Sequence, residues 1–204
     1  MEATKSLFSF GAKSPAFGQT LIVRVDVEHV HKLLAHLLQL SGDDRYLRFG
    51  YFATDEQITR YVDGIDLDFD DVFAVLDADL QVTAAAHVAY SREPSATHAE
   101  FGVSVQRAMR GHGLGLALMQ RAIVHARTRE VQRFFIHALA ENRAMLNLAR
   151  KVGMTIESHG NEVTGYLILP PDNLINRITH TLLLGGSAAE LAVRKRARWL
   201  RRFT

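Results

Sequence analysis

The chain has 204 residues, of which 48% are hydrophobic, enough for one complete core and few for two full domains. It contains no cysteine, which excludes disulfides, thiolate metal sites and a cysteine nucleophile, and we expect no bound metal. The formal net charge is only +2, but residues 187–204 hold six Lys or Arg and one Glu. Because no apolar run reaches the length of a membrane span and the N-terminus lacks a signal-peptide pattern, we predict a cytoplasmic location and no membrane partner.

The sequence of the first half of the chain predicts three strands and two helices. Residues 20–25 predict a strand, and residues 28–40 predict a helix with its apolar side chains on one stripe. The polar segment 41–50 predicts a loop, and a second helix is expected to begin near Thr54. The apolar runs 72–76 and 82–90 flank a short turn sequence, so we expect two antiparallel neighbouring strands.

A strand predicted at residues 97–105 has a clear alternation of side chains. One face carries Ala99, Phe101, Val103 and Val105, and the other carries His98, Glu100, Gly102 and Ser104. Glu100 therefore points away from the apolar face.

The sequence of the second half of the chain predicts helices that alternate with strands. A helix from Gly115 to residue 129 leads to a strand at 133–139, and a helix from Asn142 is stopped by Gly153. Strands at 154–157 and 164–169 complete a hairpin. We divide the chain into an N-terminal extension (1–19), one domain (20–170) and a basic helical C-terminal appendage (171–204).

The segment Arg110-Gly-His-Gly-Leu-Gly-Leu-Ala117 has the alternating glycines of a turn that binds phosphate at the start of a helix. Alternatively, the glycines only make a tight entry to the helix. A nucleoside-triphosphatase loop would need Lys and then Ser or Thr after the last glycine, where Leu116 and Ala117 stand. A dinucleotide fold would place the turn after the first strand, and here four predicted strands precede it.

The turn resembles the signature of the GNAT superfamily of acetyl-CoA-dependent acetyltransferases at Arg110, Gly113 and Gly115. Asn142 at the start of the next helix and Gly153-Met154 at its end also match the order of that superfamily. The resemblance covers about residues 20–169. It implies an α/β fold with a mixed, mostly antiparallel twisted sheet flanked by helices. The segments 46–49, 99–105 and 141–146 are most similar to the acetyltransferase domain of bacterial protein lysine acetyltransferases.

The resemblance implies that acetyl-CoA is the cosubstrate and assigns residues to it. The backbone of the strand would bind the pantetheine arm, the glycine turn would wrap the pyrophosphate, and two asparagines would assist. These residues are Val103, Ser104, Val105, Arg110, Gly111, His112, Gly113, Leu114, Gly115, Leu116, Asn142 and Asn147.

Glu100 is the predicted general base, since a carboxylate beside the cofactor turn can take a proton from an attacking amine. The alternative is a surface Glu paired with His98 or Arg107. Many members of the superfamily carry a Tyr general acid seven positions after the Asn, and this chain has Ala149 there. The resemblance therefore leaves the group that assists the leaving thiolate undefined.

The resemblance implies a primary amine as the acceptor, most closely a protein lysine. A small amine such as a polyamine or an antibiotic is the alternative, as is a binding protein that senses acetyl-CoA without turnover. No nucleic-acid partner is expected, although the basic end with Trp199 and Phe203 leaves nucleic-acid or membrane contact as a third hypothesis. A homodimer is a further possibility that the sequence leaves open.

Overall fold

A computed structural model describes residues 21–93 and 97–170, so the predicted extension and appendage lie outside the described residues. The elements of these two ranges, in chain order, are β1 (Ile22–Arg24), α1 (Val30–Leu38), α2 (Gly42–Phe49), α3 (Asp55–Asp63), β2 (Asp71–Leu76), β3 (Val82–Tyr90), β4 (His98–Val105), α4 (Leu114–Thr128), β5 (Arg133–Leu139), α5 (Arg143–Lys151), β6 (Thr155–His159) and β7 (Glu162–Ile168). None of these helices is both long and apolar enough to cross a bilayer.

The strands form one sheet in the order β1-β2-β3-β4-β5-β7-β6. β4 and β5 are parallel, and every other neighbouring pair is antiparallel. This mixed, mostly antiparallel sheet with helices on both faces confirms the predicted fold class. The predicted hairpin of β2 and β3 is also confirmed.

The parallel pair is open along most of its length. β4 pairs with β5 only from His98 to Glu100, opposite residues 133–135, although the two strands continue to Val105 and Leu139. Beyond Glu100 the facing edges of the two strands therefore lack each other as hydrogen-bond partners, which leaves a V-shaped opening in the sheet.

The sheet separates two hydrophobic clusters. On one face, Phe101 and Phe134 pack with Leu118 of α4 and Ala149 of α5. On the other face, side chains of β2 and β3 pack against Leu37 and other residues of α1 and α3. The alternation predicted for β4 is confirmed at its start, where Ala99 and Phe101 are buried and His98 and Glu100 are exposed.

The prediction of a loop at residues 41–50 is wrong, because α2 occupies this segment. Ser41 caps the helix by accepting a hydrogen bond from Asp44 N, and Asp43 and Asp44 stand in the first turn where the helix dipole favours carboxylates. Gly50 ends it at φ 83°, a left-handed conformation that suits glycine. The polar residues that predict a loop therefore form the first turn of a helix.

Candidate acetyl-CoA site

A cleft of about 370 Å³ lies beside the open edge of β4. Its walls come from α2, β4, the glycine turn and α5. The lining residues are Leu40, Asp44, Leu47, Arg48, Val103, Ser104, Val105, Met109, Arg110, Gly111, Gly113, Leu114, Gly115, Leu116, Asn142, Ala144, Met145, Leu148 and Lys151. Most of the residues that the sequence assigns to acetyl-CoA are therefore brought together.

The glycine turn presents unpaired backbone amides at one end of the cleft. Gly111 and Gly113 adopt φ of 80° and 78°, which other residues reach only with strain. The first hydrogen bond within α4 runs from Ala117 N to Gly113 O, so the N–H groups of residues 114–116 precede the helical ladder. Three such amides and the positive end of a helix dipole suit a phosphate group.

The open edge of β4 offers backbone groups along the cleft. Gln106 N donates to Thr83 O, so the even-numbered residues at the end of β4 turn their backbone groups toward β3. Val103 and Val105 then turn theirs toward the opening. An extended ligand with amide groups, such as a pantetheine arm, fits this edge as an added strand.

Arg110 lies in the cleft but already has protein partners. Its Nη2 is 2.6 Å from Asp44 Oδ1 and its Nε donates to Val105 O at 3.2 Å. Burial opposes ionisation of Asp44, but hydrogen bonds from Ser41 and Arg110 hold the pKa of this carboxyl below its usual value. Arg110 thus links the glycine turn to α2, and 44% of its side chain stays exposed to meet an anion.

Ser104 lines the cleft, but its hydroxyl is engaged behind it. His36 of α1 is buried, with Nδ1 3.2 Å from Val82 O and Nε2 2.8 Å from Ser104 Oγ. Because a carbonyl can only accept, Nδ1 carries the proton and Ser104 donates to Nε2. Burial lowers the pKa of His36 to about 4, which keeps the ring neutral. The backbone of Ser104 faces β3, so binding of acetyl-CoA by Ser104 stays a prediction.

Asn142 connects α5 to α2. Its Oδ1 caps α5 by accepting from Met145 N at 3.0 Å, and its Nδ2 donates to Leu47 O at 3.1 Å. Asn142 is therefore the N-terminal cap of α5. Binding of acetyl-CoA by Asn142 stays a prediction.

Three predicted site residues, Glu100, His112 and Asn147, are not among those that line the cleft. His112 is exposed at the tip of the glycine turn, and Asn147 is exposed on α5 and accepts a hydrogen bond from Arg150. On α5 the cleft is lined instead by Ala144, Leu148 and Lys151, which recur at helical spacing. Lys151 was missed from the sequence because its part in the cleft depends on how α5 is docked.

Ala149 occupies the position at which many relatives carry a tyrosine. Its side chain is completely buried in the cluster below the sheet. This position of α5 therefore supplies no hydroxyl to the cleft.

Glu100 is the last residue of β4 that pairs with β5 and lies where the two strands part. Its side chain is exposed and stands on the same face as Phe135 and Tyr166, its neighbours in register on β5 and β7. The rings of His98, His137 and Tyr166 each contact the ring of Phe135 beside it.

A polar chain on the same sheet face was missed from the sequence. Arg48 Nη2 donates to Tyr61 Oη at 2.7 Å, and Tyr61 lies 2.8 Å from His87 Nδ1. His87 Nε2 in turn lies 3.4 Å from Asp70 Oδ2. Since Arg48 can only donate, the Tyr61 hydroxyl donates to Nδ1 and the ring donates to Asp70. Burial, then the charge of Arg48, lower the pKa of His87.

The comparisons with known proteins agree with this geometry. A sequence model of the Acetyltransferase (GNAT) family matches residues 33–154, more than half of the chain. The chain therefore belongs to the GNAT acetyltransferase family and is an acyltransferase, an N-acetyltransferase that uses acetyl-CoA. The residues 21–93 and 97–170 contain no cluster of three or more potential metal ligands.

Solved structures share the fold at low sequence identity. The GNAT domain of S. lividans PAT is 21% identical, with a TM-score of 0.62 over 72% of this chain and 89% of that one. Ribosomal-protein-alanine N-acetyltransferase from Brucella melitensis is 20% identical, with a TM-score of 0.58 over 73% and 99%. Spermidine N-acetyltransferase from Vibrio cholerae, solved with CoA and spermine, is 15% identical, with a TM-score of 0.59 over 74% and 96%.

Proposed function

We propose that this acetyltransferase transfers the acetyl group of acetyl-CoA to the side-chain amine of a protein lysine, with Glu100 as the general base. The observation that carries the proposal is the parting of β4 and β5 at Glu100. A pantetheine arm on the open edge of β4 ends near this point if its pyrophosphate occupies the glycine turn.

The surface beside Glu100 supports a lysine as the acceptor. The sheet face of β5 and β7 carries the partly exposed rings of Phe135 and Tyr166 and the exposed side chain of His137. Aromatic faces suit the aliphatic stem and the ammonium group of lysine, which is also attracted by a carboxylate. An open, aromatic and acidic surface accommodates a side chain presented by another protein.

The chemistry follows from the position of Glu100. The neutral amine attacks the thioester carbonyl carbon, and the Glu100 carboxylate accepts the proton that the nitrogen loses as the new bond forms, directly or through a water. The new carbon–nitrogen bond forms while the carbon–sulfur bond breaks, and CoA leaves as a thiolate. The proton held by Glu100 then returns to solvent or to the thiolate.

Glu100→Gln tests this role. We expect kcat to fall by about 10²- to 10⁴-fold with a lysine peptide, because the amide cannot accept the proton. The affinity for acetyl-CoA, measured by calorimetry, should not change. Glu157→Gln is the matched control, since Glu157 is an exposed strand residue on β6. Equal rates for the two variants would remove Glu100 from the mechanism.

An acceptor panel tests the substrate class. CoA release is measured with a lysine peptide, the same peptide already acetylated, spermidine and an aminoglycoside. We expect turnover with the unmodified peptide alone. Turnover only with spermidine or the aminoglycoside would replace the protein lysine with a small amine.

The buried Ala149 favours one second function, binding of acetyl-CoA without turnover. In that case calorimetry shows acetyl-CoA binding, and no amine of the panel releases CoA. Turnover with any acceptor excludes this alternative.

A further inference from the structure

We propose that Arg48 is a further catalytic residue, whose guanidinium binds the sulfur of CoA as it leaves as a thiolate. The inference rests on the proposed function, because it requires CoA in the cleft beside β4. It supplies the assistance to the leaving group that Ala149 cannot give.

The position of Arg48 is the first observation. Its guanidinium packs on the backbone of Gly102, where an added Cβ would lie 2.7 Å from the Cζ atom. Gly102 lies between Glu100, where the strands part, and Val103, which lines the cleft. Arg48 itself lines the cleft, so its charge lies beside the inner end of the opening.

The second observation is that this cation lacks an anion. Among residues 21–93 and 97–170, no carboxylate forms an ion pair with Arg48, whereas Arg45 of α2 pairs with Asp55 and Arg110 of the glycine turn pairs with Asp44. Its hydrogen bond to Tyr61 uses Nη2, and its buried Nε has no partner. A partly buried cation without a counter-ion is stabilised when an anion completes its site.

Several contacts hold the guanidinium in place. It lies 5.0 Å from the ring centre of Phe49 and 5.4 Å from that of Tyr61. Tyr61 is fixed by His87, and Asn142 holds the neighbouring residue Leu47 through its carbonyl. The titratable groups around Arg48 are Tyr61 of α3, His87 of β3 and His36 of α1. The positive charge of Arg48 lowers the pKa of both histidines.

The transfer of the acetyl group needs no reactant besides the amine and acetyl-CoA. The amine nitrogen bonds to the carbonyl carbon, its proton goes to Glu100, and the electron pair of the broken carbon–sulfur bond stays on sulfur. Arg48 stabilises the thiolate by its positive charge and by hydrogen bonding.

Binding of CoA and desulfo-CoA, which lacks the sulfur, tests the proposal without an acceptor. Free alkyl thiols ionise near a pH of about 8.5. In the wild type we expect the affinity for CoA relative to desulfo-CoA to rise about tenfold between about pH 7 and pH 9, because Arg48 favours the bound thiolate. Protein groups that titrate change the affinity for both ligands alike. The ratio of the two affinities therefore reports the contribution of the sulfur alone.

Arg48→Met should abolish this rise while desulfo-CoA still binds, and Arg48→Lys should restore part of it. Lys151→Met, the matched control, removes a cation from the other end of the cleft and should weaken both ligands equally. A purely structural role of Arg48 predicts that Arg48→Met weakens both ligands in parallel, which overturns the proposal. A wild-type ratio independent of pH also overturns it.

The outcomes separate this proposal from the proposed function. Failure of the wild type to bind either ligand refutes both. Acetyl transfer by a wild type whose ligand ratio is independent of pH refutes only the role of Arg48. If Arg48→Met does not fold, Gly102→Ala, which displaces the guanidinium, gives the same test, and Arg48→Lys should still show part of the rise.

Discussion

At the scale of single residues, Gly102 and Arg48 depend on each other. The absence of a side chain at Gly102 leaves the space that the guanidinium fills, on the same sheet face as Glu100. The sequence pattern only places Gly102 on the same face of the predicted strand as Glu100. Its partner is 54 positions away in the chain, so no local pattern connects them.

Gly102→Ala should displace Arg48 without unfolding the protein. The added Cβ meets the far end of a flexible side chain, so we expect the free energy of unfolding to change by at most about 1 kcal/mol. The preference for CoA over desulfo-CoA at high pH should fall toward that of Arg48→Met. Gly42→Ala on α2 is the control, since its Cβ meets only Phe52 Cδ1 at 3.9 Å. Unchanged thiol preference in Gly102→Ala would contradict the proposed contact.

At the scale of elements, α2 and α5 form the two sides of the cleft and are joined by Asn142. This residue caps α5 with its oxygen and holds α2 with its nitrogen. The capping role could be predicted from the sequence, because Asn is favoured at the start of a helix. The link to Leu47 could not, since α2 was predicted as a loop and the two segments are far apart in the chain.

Asn142→Ala should lower both stability and cofactor affinity. We expect about 1–2 kcal/mol less free energy of unfolding in urea, from the lost cap and the unsatisfied Leu47 carbonyl. Asn142→Asp separates the two functions, because it keeps an acceptor for Met145 N and loses the donor to Leu47. It should retain only the part of the stability that comes from the cap, and it should still bind CoA more weakly. Equal CoA affinity in all three proteins would rule out a role of the link in the cleft.

At the scale of the whole molecule, the buried polar groups make stability depend on pH. His36 joins α1 to β4 through Ser104 and has its pKa lowered from 6.5 to about 4 by burial. The folded state binds its proton less readily than the unfolded chain. The contribution of the neutral ring is therefore complete above pH 6.5 and is lost as the pH falls toward 4.

Urea unfolding between pH 7 and pH 4 should show this loss. The shift of His36 corresponds to roughly 3 kcal/mol of unfolding free energy. His36→Gln removes the titration, so this variant should be less stable at pH 7 and lose correspondingly less on acidification. Parallel curves for the two proteins would show that His36 does not carry the effect.

The sequence by itself determined the sheet-forming strands, the two faces of β4, the glycine turn and the family, because these depend on local periodicity and on motifs within one segment. It also singled out Glu100. Only the tertiary structure decided that α2 is a helix across the cleft, that Ser104 is engaged by His36 and that Arg48 lies on Gly102. These features join residues that are distant in the chain, and their cause is the docking of helices onto the sheet, which no local pattern records.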